Sequence, residues 1–122
     1  MRFKIDTKEK IVILQPEITL LDANLSADFI TTVTQLPELD GRNLILDMAL
    51  VQAADPAGIE AILTVYQHQY DSKRSCAITG LNNTLTASLR AYPAIANITP
   101  TLSEAIDMVM MESLERELLD EE

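Results

Sequence analysis

Two carboxylates stand apart from the acidic majority of this chain. Asp47 ends the apolar run Asn43-Leu44-Ile45-Leu46, and Asp55 opens the turn Asp55-Pro56-Ala57-Gly58. Ligands of open α/β sheets meet the carboxyl ends of strands, so both acids can mark a functional edge. Each also has a purely structural reading, Asp55 as a helix N-cap and Asp47 as a loop anchor. His68 is the single histidine and Cys76 the single cysteine. His68 falls about half a turn from the Ile59/Ile62/Leu63/Tyr66 stripe, which predicts an exposed surface histidine rather than a proton-transfer group. Cys76 lies in an apolar strand and reads as a small buried hydrophobe rather than a nucleophile. One histidine and one cysteine cannot supply a zinc set. Gly41, Gly58 and Gly80 are too scattered for a phosphate cradle. With no nucleophile–base pair in view, the expectation is a protein without catalytic residues, metal or cofactor, and not an enzyme.

The elements that must position Asp47 and Asp55 are legible in the periodicity. Phe3-Lys4-Ile5 and Ile11-Val12-Ile13-Leu14 read as strands, the second ended by Pro16. Leu25, Phe29, Val33 and Leu36 recur at helical spacing, which predicts a helix over 24–36 capped by Asp22 or Asn24. Residues 43–47 suit a strand covered on both faces. Residues 48–54 read as a buried connection. Asp55 as N-cap and Pro56 at the first helical position then start a helix with Ile59, Ile62, Leu63, Tyr66 and Tyr70 on one side. Residues 75–79 predict a fourth strand closed by Gly80, residues 82–91 a helix, and residues 97–99 a short last strand. Thr101-Leu102-Ser103-Glu104 is a capping-box pattern opening a helix whose inner stripe is Leu102, Ala105, Ile106, Val109 and Met110. Met111, Leu114 and Leu118 continue its apolar character, either to finish packing on the sheet or as an exposed strip for a homodimer or a partner helix. The order β-β-α-β-α-β-α-β-α argues for an α/β domain with a largely parallel sheet over residues 1–117, followed by an acidic frayed tail, 118–122.

Composition narrows the function classes. The net charge is −10, and residues 101–122 hold eight acids against one base, Arg116. Nucleic-acid binding needs basic clusters and is excluded, and anionic membranes are disfavoured for the same reason. The tail acids read as a solvated charge run rather than a hard-cation site. The longest wholly apolar run is far short of the roughly 20 residues of a membrane span. No apolar segment follows the start of the chain, so no signal peptide is expected, and the lone cysteine fits a reducing, cytoplasmic setting.

The apolar strand ending in Asp47, the interval to Asp55-Pro56-Ala57-Gly58-Ile59 and the apolar helix after it resemble the signature of STAS domains, the domains of anti-sigma-factor antagonists. Leu21-Asp22-Ala23-Asn24 is similar to the start of that family's first helix. Cys76-Ala77-Ile78-Thr79-Gly80-Leu81 is similar to its fourth strand and turn, and Thr101-Leu102-Ser103-Glu104-Ala105-Ile106 to its last helix. The resemblance implies an α/β, SpoIIAA-like fold of a small mixed sheet flanked by four helices. It also implies a non-catalytic regulatory module in bacterial transcription signalling, whose partner is an anti-sigma factor or a serine kinase-like protein. The partner-binding residues it implies are Asp22, Asn24, Asp55, Pro56, Ala57 and Gly58. The family's phosphorylated hydroxyl falls at Ala57, which has none; Pro56 has none either, and the nearest hydroxyl downstream is Thr64. Two alternatives stay open: a STAS-like accessory subunit of a transporter or signalling assembly, and a small-molecule or nucleotide binder using the strand ends near Asp47 and Asp55.

Overall fold

The computed structural model describes residues 1–120. Its main sheet contains β1 (Phe3–Thr7), β2 (Ile11–Pro16), β4 (Asn43–Asp47), β6 (Cys76–Thr79) and β7 (Ile98–Thr99), side by side in that order. The β1–β2 hairpin is antiparallel and every other pairing in this sheet is parallel. The helices are α1 (Ala23–Thr34), α2 (Pro56–Asp71), α3 (Asn83–Arg90) and α4 (Leu102–Asp120). Four helices on a mixed, largely parallel sheet is the architecture that the alternation of apolar runs predicts.

Register explains why the central strands read as continuous apolar runs. Val12 pairs with Leu44 and Leu44 with Cys76, while Leu14 pairs with Leu46 and Leu46 with Ile78. These six side chains share one face and enter the larger core with Phe29 and Val33 of α1, Ile59, Ile62 and Tyr66 of α2, and Leu85 and Leu89 of α3. The intervening residues Ile11, Ile13, Ile45 and Ala77 form the opposite face, which α4 covers with Ala105 and Val109. A strand with both faces dry has no reason to alternate.

Several boundaries differ from the periodicity. Helix α1 begins at Ala23 with Asp22 as its N-cap, and a 3-10 turn at Pro37–Leu39 follows it. Leu102 is exposed rather than part of the inner stripe of α4, whose buried residues begin at Ala105. The expected fraying from Leu118 falls partly on residues 118–120, which are helical, and partly on Glu121 and Glu122, which lie outside the described residues. The segment 48–54 buries Met48 and Val51 but is more than a connection. Its last two residues form β5 (Ala53–Ala54), paired in parallel with β3 (Leu20–Leu21) as a second, two-stranded sheet. Strands this short carry no period. Backbone geometry holds this pair instead: the amides of Gln52 and Ala53 both donate to the Thr19 carbonyl, at 2.7 and 3.1 Å.

Candidate functional site

The small β3–β5 sheet sets two helix starts next to each other. Leu21 is in register with Ala54, and the residues that follow, Asp22 and Asp55, are the N-caps of α1 and α2. Asp22 Oδ1 accepts from the Leu25 amide at 3.1 Å, within its own helix. Asp55 does more. Its Oδ1 accepts from the Gly58 amide at 2.9 Å, while its Oδ2 accepts from the Ala23 amide of α1 at 2.9 Å. One carboxylate thus satisfies orphan amides at the starts of two helices, where the helix dipoles also favour negative charge. Its structural reading as a cap is correct, and wider than a cap of one helix.

Gly58 is buried where α2 crosses β3. A Cβ there would collide with the Leu21 carbonyl oxygen and come within 3.1 Å of Leu21 Cγ. Because the obstruction includes backbone, only glycine lets α2 start this close to β3. Pro56 is exposed at the first helical position, and Ala57 beside it is half-buried. Asp55, Pro56, Ala57, Gly58 and Asp22 therefore belong to one patch. Asn24 lies on the exposed first turn of α1 and does not act as the cap. Thr64 is exposed further along α2, and its hydroxyl donates to the Glu60 carbonyl at 2.9 Å.

Asp47 is half-buried and committed to the fold. Its Oδ1 accepts from the Ala49 amide at 3.1 Å and its Oδ2 from Gln15 Nε2 at 3.3 Å. Gly80, at φ +78°, packs so closely that a Cβ would stand 2.7 Å from Asp47 Oδ1. Beside the start of α1 opens a groove of about 950 Å³, bordered by Lys4, Gln15, Ile18, Leu20 and Leu50. Among the described residues no group of three His, Cys, Asp or Glu side chains converges as a metal set. His68 is exposed and Cys76 fully buried, and burial pushes the Cys76 thiol up, away from the thiolate a nucleophile needs.

A polar cluster where α2 and α4 meet at the β6–β7 edge of the sheet was hidden in the sequence. The Tyr70 hydroxyl donates to Glu112 Oε1 at 2.6 Å and accepts from Asn97 Nδ2 at 2.6 Å. Asn97 Nδ2 also reaches Glu112 Oε2 at 3.0 Å and the Cys76 carbonyl at 3.1 Å. Burial, and next the bond to Glu112, raise the Tyr70 hydroxyl well above the ordinary tyrosine range. These contacts fasten α4 to α2 and to the β6–β7 edge. Glu112 sits in the acid-rich segment, and nothing in its spacing from Tyr70 or Asn97 singles it out from the neighbouring surface acids.

The sequence matches no family model and no curated protein. The fold has clear counterparts among solved structures. A Thermotoga maritima protein assigned as an anti-sigma factor antagonist superposes with a TM-score of 0.73 at 22% identity, over 88% of this chain and 94% of that one. The anti-sigma factor antagonist SpoIIAA, in its unphosphorylated form, gives 0.66 at 14% identity, over 89% of this chain and 98% of that one. The murine anion transporter Slc26a9 gives 0.68 at 14% identity; 83% of this chain is covered, but only 18% of the transporter. The chain thus has the fold of the anti-sigma factor antagonists, the STAS fold.

Proposed function

We propose that this chain is a non-catalytic, protein-binding regulatory module of the anti-sigma-factor-antagonist type, working in the cytoplasm. Its contact surface is the patch around the start of α2, with Pro56 and Ala57 at the centre and Asp22 and Asn24 on the neighbouring helix start. The observation that carries this reading is the double role of Asp55, which ties two helix starts into one patch with Pro56 exposed and Ala57 half-buried at its surface. The partner is a protein, an anti-sigma factor or a serine kinase-like protein by likeness to proteins of this fold.

Ala57 makes the patch permanently uncharged at the position where a phosphate would act. A phosphorylated hydroxyl adds about −1.5 to −2 charge and three strong acceptors, which an interface must then hydrate or pair. This chain has no such group there, so control comes from elsewhere or the surface is always ready to bind. Ala57→Glu is the direct test: it adds bulk at the patch and a negative charge that the start of the helix tolerates, so the fold survives and capture of the partner weakens. Undiminished capture by a folded Ala57→Glu variant removes this turn from the interface.

A second reading is an accessory domain of a transport assembly, favoured by the likeness to part of Slc26a9. Among the described residues no helix is long and apolar enough to cross a membrane. Co-sedimentation of the native protein with detergent-soluble membrane complexes favours this reading, and its recovery with a soluble kinase-like partner favours the first.

A further inference from the structure

Helix α4 carries two apolar stripes on opposite sides. The inner one, Ala105 and Val109, is fully buried against the sheet. At about 100° per residue, Met111, Leu114 and Leu118 fall on the opposite side of the helix. They are 63%, 57% and 56% exposed, and they lie next to one another on one side of the helix rather than scattered singly. Beside them runs a shallow groove of about 410 Å³ along Met110, Met111 and Leu114, with Asp107, Glu117 and Lys10 at its rim.

The charge around this stripe is mostly acidic, with Lys10 the one cation at the groove's rim. Asp107, Glu115 and Glu117 are exposed along it. The one base of residues 101–122, Arg116, turns inward and donates to Ser75 Oγ at 3.0 Å. Lys10 pairs with Glu117 at 3.3 Å, and among the described residues neither Asp107 nor Glu115 is in an ion pair. A second copy of this chain fits poorly there, since it would set one acid-rich helix against another in either orientation.

We propose that this outer face of α4 docks an amphipathic helix of a different protein, its apolar residues laid on Met111, Leu114 and Leu118 and its flanks rich in Lys or Arg. Acidic rims around an apolar strip select a basic partner, and the unbranched methionines adapt to its side chains. The face is separate from the start of α2, because α4 covers the other side of the sheet. Both surfaces can be occupied together.

The test uses the full chain and three synthetic helical peptides of equal length, read by fluorescence anisotropy. One peptide has a leucine stripe with lysine flanks, one the same stripe with glutamate flanks, and one a serine stripe with lysine flanks. The expected result is preferential binding of the first, weakened about tenfold or more in a Leu114→Ser/Leu118→Ser variant that keeps its circular dichroism and melting temperature. Rising salt weakens the binding further. If the first peptide binds no better than the other two, or binds the folded variant equally well, the proposal is overturned. It is also overturned if sedimentation shows the native chain dimerising and the same double substitution returning it to monomer, because the occupant is then a second copy.

Discussion

The start of α2 is fixed from within: a shared carboxylate, a proline at the first turn and a glycine pressed against Leu21 leave it one position. The outer face of α4 is free. Its apolar side chains are exposed, and the contacts that hold the helix lie on its inner side, through Val109, Glu112 and Arg116. The difference teaches how one small domain can offer two kinds of surface. A rigid patch suits recognition that one added charge can cancel. A methionine-bearing strip on a helix suits partners that share only a pattern of apolar and basic residues.

The position of α2 depends most on Gly58. Gly58→Val forces α2 away from the β3 backbone, and the expected loss is about 3 kcal/mol in urea unfolding. Next comes Asp55→Ala, which uncaps two helices at once and should cost about 2 kcal/mol, against about 1 kcal/mol for Asp22→Ala, which uncaps one. Equal losses for the two would show that the bond from Ala23 to Asp55 contributes nothing.

On the α4 side, Tyr70→Phe removes a hydroxyl that donates to Glu112 and accepts from Asn97. The expected loss is about 1–2 kcal/mol, chiefly from leaving Asn97 and Glu112 short of a partner. The hydroxyl also titrates. Its folded pKa lies above the unfolded value, so its contribution is fully present at neutral pH and is lost as pH rises past about 10. Alkaline unfolding of Tyr70→Phe should therefore begin at higher pH, relative to its own neutral stability, than that of the native chain. The smallest effect belongs to Leu114→Ser/Leu118→Ser. Its stability should change by no more than about 0.5 kcal/mol per substitution, with a nearly unchanged melting temperature, because neither side chain is part of the core. A large loss there would mean that the outer stripe is structural after all.

What the sequence discloses about this molecule follows from range. The main strands and all four helices are local patterns repeated over several residues, so periodicity and caps identify them. The Asp55-Pro56 start of α2 is legible for the same reason. The β3–β5 pair has two residues on each side and no pattern, so the sequence could not reveal that Asp55 serves two helices. The Tyr70–Asn97–Glu112 cluster joins α2, α4 and the loop that enters β7, and only the fold brings them together. For Met111, Leu114 and Leu118 the sequence leaves burial and exposure open. The answer depends on how far the sheet extends beneath α4, and Ile11, Ile13, Ile45 and Ala77 line only the side that Ala105 and Val109 cover.

The patch at Asp55–Gly58 is the surface we propose for a protein partner. The most direct measurement is quantitative affinity capture from native extract with the wild-type chain, Ala57→Asp and Leu114→Ser/Leu118→Ser, each first shown to melt as the wild type does. A partner recovered with the wild type and the α4 variant but depleted with Ala57→Asp is the predicted result. The same partner recovered equally with all three would contradict it.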